Sequence, residues 1–131
     1  MTSEPLLAAD KLNNDPRLAE AKKLILDAVA EHQETLVSVR PPRPELATDY
    51  EQQLDQFGAI RGGRTFFPYL GSGIGNGPFV ELADGSVKLD LITGIGVHGY
   101  GHSHPRLITA GPDAAISDTA TQGTLQQHTR S

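Results

Sequence analysis

Leu18, Ala21, Ile25, Val29 and Leu36 recur close to helical spacing, and Glu20, Lys23, Asp27, Glu31 and Glu34 take much of the remainder. The pattern predicts a helix over residues 16–38 laid on a core or on a partner subunit. Asp15 is placed to cap it, and Pro16 suits the first turn, where a missing N–H costs nothing. Pro41, Pro42 and Pro44 stop the helix and make a stiff extended link. A second stripe, Leu46, Tyr50, Leu54 and Phe57, predicts a helix over residues 48–57. Thr48 and Glu51 have capping-box spacing at its start, and Gly58 is placed to end it.

Residues 58–78 then read as loop, anchored by the aromatic cluster Phe66, Phe67 and Tyr69. Beyond them the period changes from helical to two. Val80 and Leu82 alternate with polar or small neighbours. Val87, Leu89 and Leu91 oppose Lys88 and Asp90. Asp84-Gly85 between the two rows predicts a hairpin over residues 79–92 with a two-residue turn. After Pro105, Leu107, Ile108 and Ala110 begin a helical pattern that Gly111-Pro112 interrupts. Residues 1–14 read as a mobile arm and residues 119–131 as a polar tail without apolar period. The segment between them, residues 15–118, shows no internal repeat and no clear domain boundary. The fold class expected is α+β: two N-terminal helices followed by an antiparallel β-hairpin or meander.

Composition narrows the function classes. The chain has 131 residues, 37% hydrophobic and 5% aromatic, with 14 Gly and 9 Pro. That suits one modest domain with a thin core. A net charge of −5 disfavours nucleic acid, which clustered Lys and Arg would bind. The one gathering of arginines, Arg40, Arg43, Arg61 and Arg64, lies among prolines and glycines and reads as solvated linker. The absence of cysteine excludes disulfides, thiolate chemistry and Cys-ligated zinc. No run approaches the ~20 apolar residues of a membrane helix. The N-terminus lacks the basic and apolar regions of a signal peptide, so a cytoplasmic protein is expected.

Three motifs invite chemistry. The string Gly71 to Gly77, GSGIGNG, is rich enough in glycine to cradle phosphate, but it precedes a strand rather than a helix N-terminus and reads as a flexible lead. His98, His102 and His104 have the spacing H-x3-H-x-H. Zinc wants three or four ligands in tetrahedral reach, and imidazoles bonded to backbone at a Pro-bounded corner fit these residues better. Gly94-Ile95-Gly96-Val97 would let backbone approach a ligand or another chain closely, and equally suits a strand exit with a bulge. No serine has a nucleophile-elbow motif.

The run from Gly73 to Pro105, GIGNGPFVELADGSVKLDLITGIGVHGYGHSHP, joins these parts in an order that resembles the N-terminal region of class III pyridoxal-phosphate (PLP) aminotransferases, which are fold-type I enzymes. There a strand pair around a D-G turn leads through an aliphatic-Asp-aliphatic strand to a G-I-G-V-like segment and a G-H-x-H-P corner. The likeness is fairly specific over residues 79–105 and weaker over Thr121 to Gln127. It implies that Ile95, Gly96 and Val97 help shape a substrate pocket, and that Gly101, His102, His104 and Pro105 fix the corner of residues 93–105. It implies PLP in the parent enzyme, which moves an amino group from an amine or amino acid to a keto acid. The family's phosphate-binding region, pyridine aspartate and Schiff-base lysine lie beyond residue 131, and Lys11, Lys22, Lys23 and Lys88 match no cofactor-lysine motif. The resemblance therefore implies an N-terminal piece, with no catalytic residue and no cofactor of its own, inactive alone. Its partners would be the rest of the aminotransferase chain or a second subunit, and apolar helix stripes left bare would drive self-association. The rival is a non-catalytic interaction module built on the helices and hairpin.

Overall fold

The computed structural model describes residues 7–117, together with the backbone of residues 120–122 and 125–127. The architecture is α+β. Helix α1 spans Ala8–Asn13, α2 Pro16–Gln33 and α3 Ala47–Arg61, the last entered through a 3-10 turn at Pro44–Leu46. Strands β1 (Gly71–Asn76), β2 (Phe79–Leu82) and β3 (Val87–Leu89) form an antiparallel sheet in that order. Helix α4 (Pro105–Ile116) and the pair β4 (Ala120–Gln122) and β5 (Leu125–Gln127) follow. The chain divides into two compact units, one of Met1–Leu26 and Pro105–Ser131, the other of Asp27–His104.

In the first unit, α1 lies inside the stretch expected as a mobile arm, and β4 pairs antiparallel with β5 in the stretch expected as a featureless tail. Asp15 accepts the Arg17 N–H at 2.9 Å, as a cap should. Helix α4 continues through Pro112 instead of breaking there. A proline inside a helix removes one backbone bond and crowds the carbonyl four residues back. Side-chain bonds from Thr109 to the Pro105 carbonyl (2.8 Å) and from Ser117 to the Asp113 carbonyl (2.7 Å) support the helix on either side. Lys22 Nζ meets Asp113 Oδ1 at 2.6 Å.

Helix α2 ends at Gln33, five residues short of the expected 38. Its half-buried stripe is Leu18, Lys22, Leu26, Val29 and Gln33 rather than the row through Ala21 and Ile25. Two bonds at its end explain the early stop. Gln33 Nε2 donates to the Gly75 carbonyl at 2.8 Å, and Asn76 Nδ2 donates to the Gln33 carbonyl at 3.3 Å. Leu36 then leaves the helix for the core, where it is 1% exposed. The chain then bends at Val37 and Ser38 and reaches Arg40, which forms a bridge with Val87 at the outer edge of β3.

Helix α3 overruns the expected 48–57 at both ends. Leu46 precedes it with no side-chain cap, and Glu51 reaches Arg64 at 3.2 Å instead of closing a capping box. Gly58 does not end it but is buried on its inner stripe beside Tyr50 and Leu54. Left-handed Gly62 terminates it, with the Gly63 N–H returning to the Gly58 carbonyl at 2.8 Å. The loop that follows is not anchored by its aromatic cluster, since Phe66 is 90% and Tyr69 66% exposed. Tyr50 anchors it, donating its hydroxyl to the Pro68 carbonyl (2.6 Å) and accepting the Leu70 N–H (3.1 Å).

The hairpin forms with a different turn. Leu82 N–H bonds the Ser86 carbonyl (2.9 Å) and Gly85 N–H bonds the Leu82 carbonyl (2.9 Å), so the loop is the three residues Ala83–Gly85. Only Gly85 takes a positive φ, 74°, and Asp84 Oδ1 accepts the Ser86 N–H at 2.8 Å. A two-residue turn would have set Leu82 opposite Val87. The added residue slips the register by one and sends the two apolar rows to opposite faces. Val80 and Leu82 share a face with Lys88, while Val87 shares the other with Glu81 and Arg40. Arg40, expected in a solvated linker, therefore braces the sheet, with Nη2 2.7 Å from Glu81 Oε1 and Nε donating to the Gly85 carbonyl at 2.9 Å. The glycine string is not a flexible lead either, because it forms β1, which pairs with β2 through a bulge between Gly71 and Gly75.

Candidate functional site: a groove closed by an Asp90–His102 pair

Strand β3 ends at Leu89, and Asp90 immediately turns inward. Its Oδ1 accepts the N–H groups of Ile92 (3.0 Å) and Thr93 (2.8 Å), which starts the turn out of the sheet. Its Oδ2 lies 2.8 Å from His102 Nε2. These three donors, the His102 ring first among them, hold the Asp90 carboxyl below the usual carboxylate range. An ionised Asp90 can only accept, so His102 Nε2 carries the proton of this bond.

His102 reaches Asp90 because two glycines let its backbone settle against β1. His102 N–H bonds the Gly77 carbonyl at 2.8 Å. A Cβ at Gly75 would stand 2.5 Å from His102 Cβ, and one at Gly101 would stand 2.9 Å from Gly77 Cα. Gly101 also has a φ of 89°. The corner of residues 93–105 is thus built by close approach of two backbones. The His98 ring stacks on His102 with centroids 4.1 Å apart, and His104 lies beside Tyr100 at 5.8 Å. Among the described residues, no three His, Asp or Glu side chains are grouped to hold a metal ion.

Between Asp90 and this corner, Thr93, Gly94, Ile95 and Gly96 take φ values of 55°, 59°, 58° and 85° in succession. Left-handed conformation is uncommon for any side chain and an outlier for a β-branched one. The turn is held by the bonds from Ile95 N–H to the Ile92 carbonyl (3.0 Å) and from His98 N–H to the Thr93 carbonyl (2.8 Å). It lifts Ile95 and Val97 into solvent, 91% and 74% exposed.

Val80 and Leu82 of β2 and Val87, Lys88 and Leu89 of β3 line a groove of about 800 Å³. Val39, Pro41 and Tyr69 also line it. Asp90 and His102 line it as well. Ile95, Gly96 and Val97 do not line it, whereas Ile92 and Gly94 beside them do. Sequence reasoning placed Asp90 on the polar side of a strand and did not pair it with His102. The signal for its role was its place two and three residues before the N–H groups of Ile92 and Thr93, where Asp commonly closes a turn.

The charged side chains that line the groove do not fit PLP. Lys88 opens on the groove, but the groove's arginine, Arg40, is engaged by Glu81 and the Gly85 carbonyl and leaves no phosphate clamp. Asp90 is committed to His102 and two amides, so it offers nothing to a pyridinium nitrogen. No described helix is long and apolar enough to cross a membrane. No protein-family model, no curated protein and no solved structure matches the chain.

Proposed function

We propose that this chain is the N-terminal segment of a class III aminotransferase, the part that shapes the mouth of a PLP site held elsewhere. The observation that carries the reading is the run from Phe79 to Pro105. A strand pair around Asp84-Gly85 leads through Leu89-Asp90-Leu91 into the left-handed Gly94-Ile95-Gly96 turn and the His102-Ser103-His104 corner, where Pro105 opens a helix. Each motif of the resemblance occupies a distinct structural element, in order. The cofactor would act as electron sink for the amino group, while Ile95, Gly96 and Val97 would border the substrate. Their exposure, with that of Leu91 (81%) and Ile92 (68%), supports a surface that the rest of such an enzyme or a second subunit covers.

The test uses the product of the complete reading frame, purified from cells. An aldimine absorbance band removed by borohydride, with amino transfer from an amine to a keto acid, is expected. Replacing Gly94-Ile95-Gly96 by three alanines should depress transfer and leave the absorbance band in place. A product with no aldimine and no transfer overturns the reading, and a cooperative melt of that product as a monomer would point to the interaction module.

A further inference from the structure

We propose that the proline segment of residues 39–44 docks on the aromatic loop, residues 66–69, of a second copy, so that the chain forms a two-fold dimer. The segment is a polyproline-II (PPII) ridge. Arg40, Pro41 and Arg43 each precede a proline, which holds them extended, and Arg43 has φ −90° and ψ 121°. Arg40 Nε donates to the Gly85 carbonyl at 2.9 Å. Arg43 packs on the same glycine, where an added Cβ would stand 2.8 Å from Arg43 Cδ. Positions three apart face opposite ways in a strand but share an edge in PPII. The arginine edge is therefore fixed to the hairpin, also through Glu81 at 2.7 Å from Arg40 Nη2 and the Arg43 N–H at 2.8 Å from the Asp84 carbonyl. The other two edges, Pro41 with Pro44 and Val39 with Pro42, are exposed. The Pro41 and Pro42 carbonyls accept no hydrogen bond among the described residues. A segment held this way loses little freedom on binding.

The complement of this ridge lies in the same compact unit. PPII segments are read by aromatic rings, and Phe66, Phe67 and Tyr69 are all exposed. Phe67 and Tyr69 lie nearly parallel, 6° apart with centroids at 6.1 Å, and Phe66 meets Phe67 edge-on at 4.7 Å. Tyr50 bonds the Pro68 carbonyl and the Leu70 amide on either side of Tyr69, so the rings stand on fixed backbone. The Tyr69 hydroxyl makes no hydrogen bond among the described residues, and a proline carbonyl is an acceptor for it. Because its arginine edge is held by its own hairpin, the segment presents its proline edges to another molecule. Pro41 and Tyr69 line one groove, so ridge and rings adjoin, and a two-fold axis there makes both contacts at once. Charge does not select the partner, since Arg40 is balanced by Glu81 and exposed Arg43 is followed by exposed Glu45.

This inference needs neither a cofactor nor the aminotransferase reading. The test is sedimentation velocity of the 131-residue chain over a concentration series. A monomer that passes to a dimer as concentration rises is expected. Two double variants probe the two surfaces, Pro41→Gln with Pro42→Gln and Phe67→Ser with Tyr69→Ser. Each variant alone should stay monomeric where the unaltered chain is dimeric. An equimolar mixture of the two should recover part of the association, because the mixed pair has one intact contact and each homodimer has none. That recovery separates a lost contact from a lost fold, since two unfolded variants cannot rescue one another. A chain that is monomeric at every concentration overturns the proposal. So does a dimer that survives both double substitutions, or a mixture that stays monomeric.

Discussion

Asp90 holds His102 from 12 positions away, with Oδ2 2.8 Å from Nε2, and both side chains are largely withdrawn from solvent at 19% and 14% exposure. The pair ties the end of β3 to the corner that precedes α4. Both residues also line the groove. Asp90→Asn keeps an amide oxygen for the Ile92 and Thr93 N–H groups but replaces the oxygen facing His102 Nε2 by an NH2 donor, so it should lower stability by about 1–2 kcal/mol. Because the folded carboxyl titrates below its ordinary value of 3.8, its contribution is complete above the unfolded value and is lost as pH falls through the folded one. Melting curves of the two proteins should therefore differ near neutrality and converge below about pH 4. A gap that stays constant on acidification would place the effect of the substitution elsewhere.

Gly75 is the position where the corner and β1 touch. A methyl added there would stand 2.5 Å from His102 Cβ and 2.7 Å from the Phe79 carbonyl oxygen. Rotating a flexible side chain cannot relieve either approach. Gly75→Ala should cost about 1–3 kcal/mol, as overpacking does, and should shift the His102 ring resonances. Gly73→Ala, two residues earlier, meets no atom within 4 Å and tests backbone strain alone at φ 108°. Ring shifts equal in both variants would refute the contact.

The helices and the hairpin were legible because their signals are local. Apolar spacing located α2 and α3, and Asp84-Gly85 located the turn. What escaped depended on distant partners. Gln33 stops α2 by bonding to Gly75, 42 residues on. Gly58 reads as a helix end but packs against Arg64 backbone, while Gly62 does the ending. The turn length, three residues instead of two, decided which residues share a face of the sheet, and both lengths fit the same Asp-Gly pair. Asp90 looked like a strand's solvent face because its partner, His102, is not in the strand.

Tyr50 gives a direct measure of how the loop after α3 is fixed. Its hydroxyl serves two backbone groups, at Pro68 and Leu70, and burial raises its pKa. Tyr50→Phe leaves both groups unpaired, and should cost about 1–3 kcal/mol. Hydrogen exchange at the Leu70 amide should accelerate more than at core amides such as Val87. Uniform acceleration would mean that the loop opens only with the whole unit.

Ser86 offers the opposite case. It is fully buried, and its Oγ has no hydrogen-bond partner among the described residues. Ser86→Ala removes an unsatisfied hydroxyl without touching the backbone bond that Ser86 receives from Leu82. Deleting a buried polar atom that makes no bond is neutral or stabilising, so the melting temperature should hold or rise. A marked fall would reveal a partner for the hydroxyl.

Ile95 tests whether the left-handed turn is strained in the way its dihedrals indicate. A β-branched residue at φ 58° and 91% exposure has an unfavourable backbone and almost no packing to offset it. Asn tolerates the left-handed region far better, since its short polar side chain can bond locally. Ile95→Asn should therefore stabilise the chain by about 1 kcal/mol, measured by denaturant unfolding at an unchanged m-value. Val97→Asn, exposed nearby but at an ordinary φ, controls for the loss of surface hydrophobicity and should leave stability within about 0.5 kcal/mol. If the Ile95 variant is stabilised, and the amino transfer proposed for the product of the complete reading frame falls with it, the isoleucine is kept at a cost in stability for contact with a substrate or a second chain. If stability drops instead, the turn is held by contacts that Ile95 makes, and strain is not the reason for its shape.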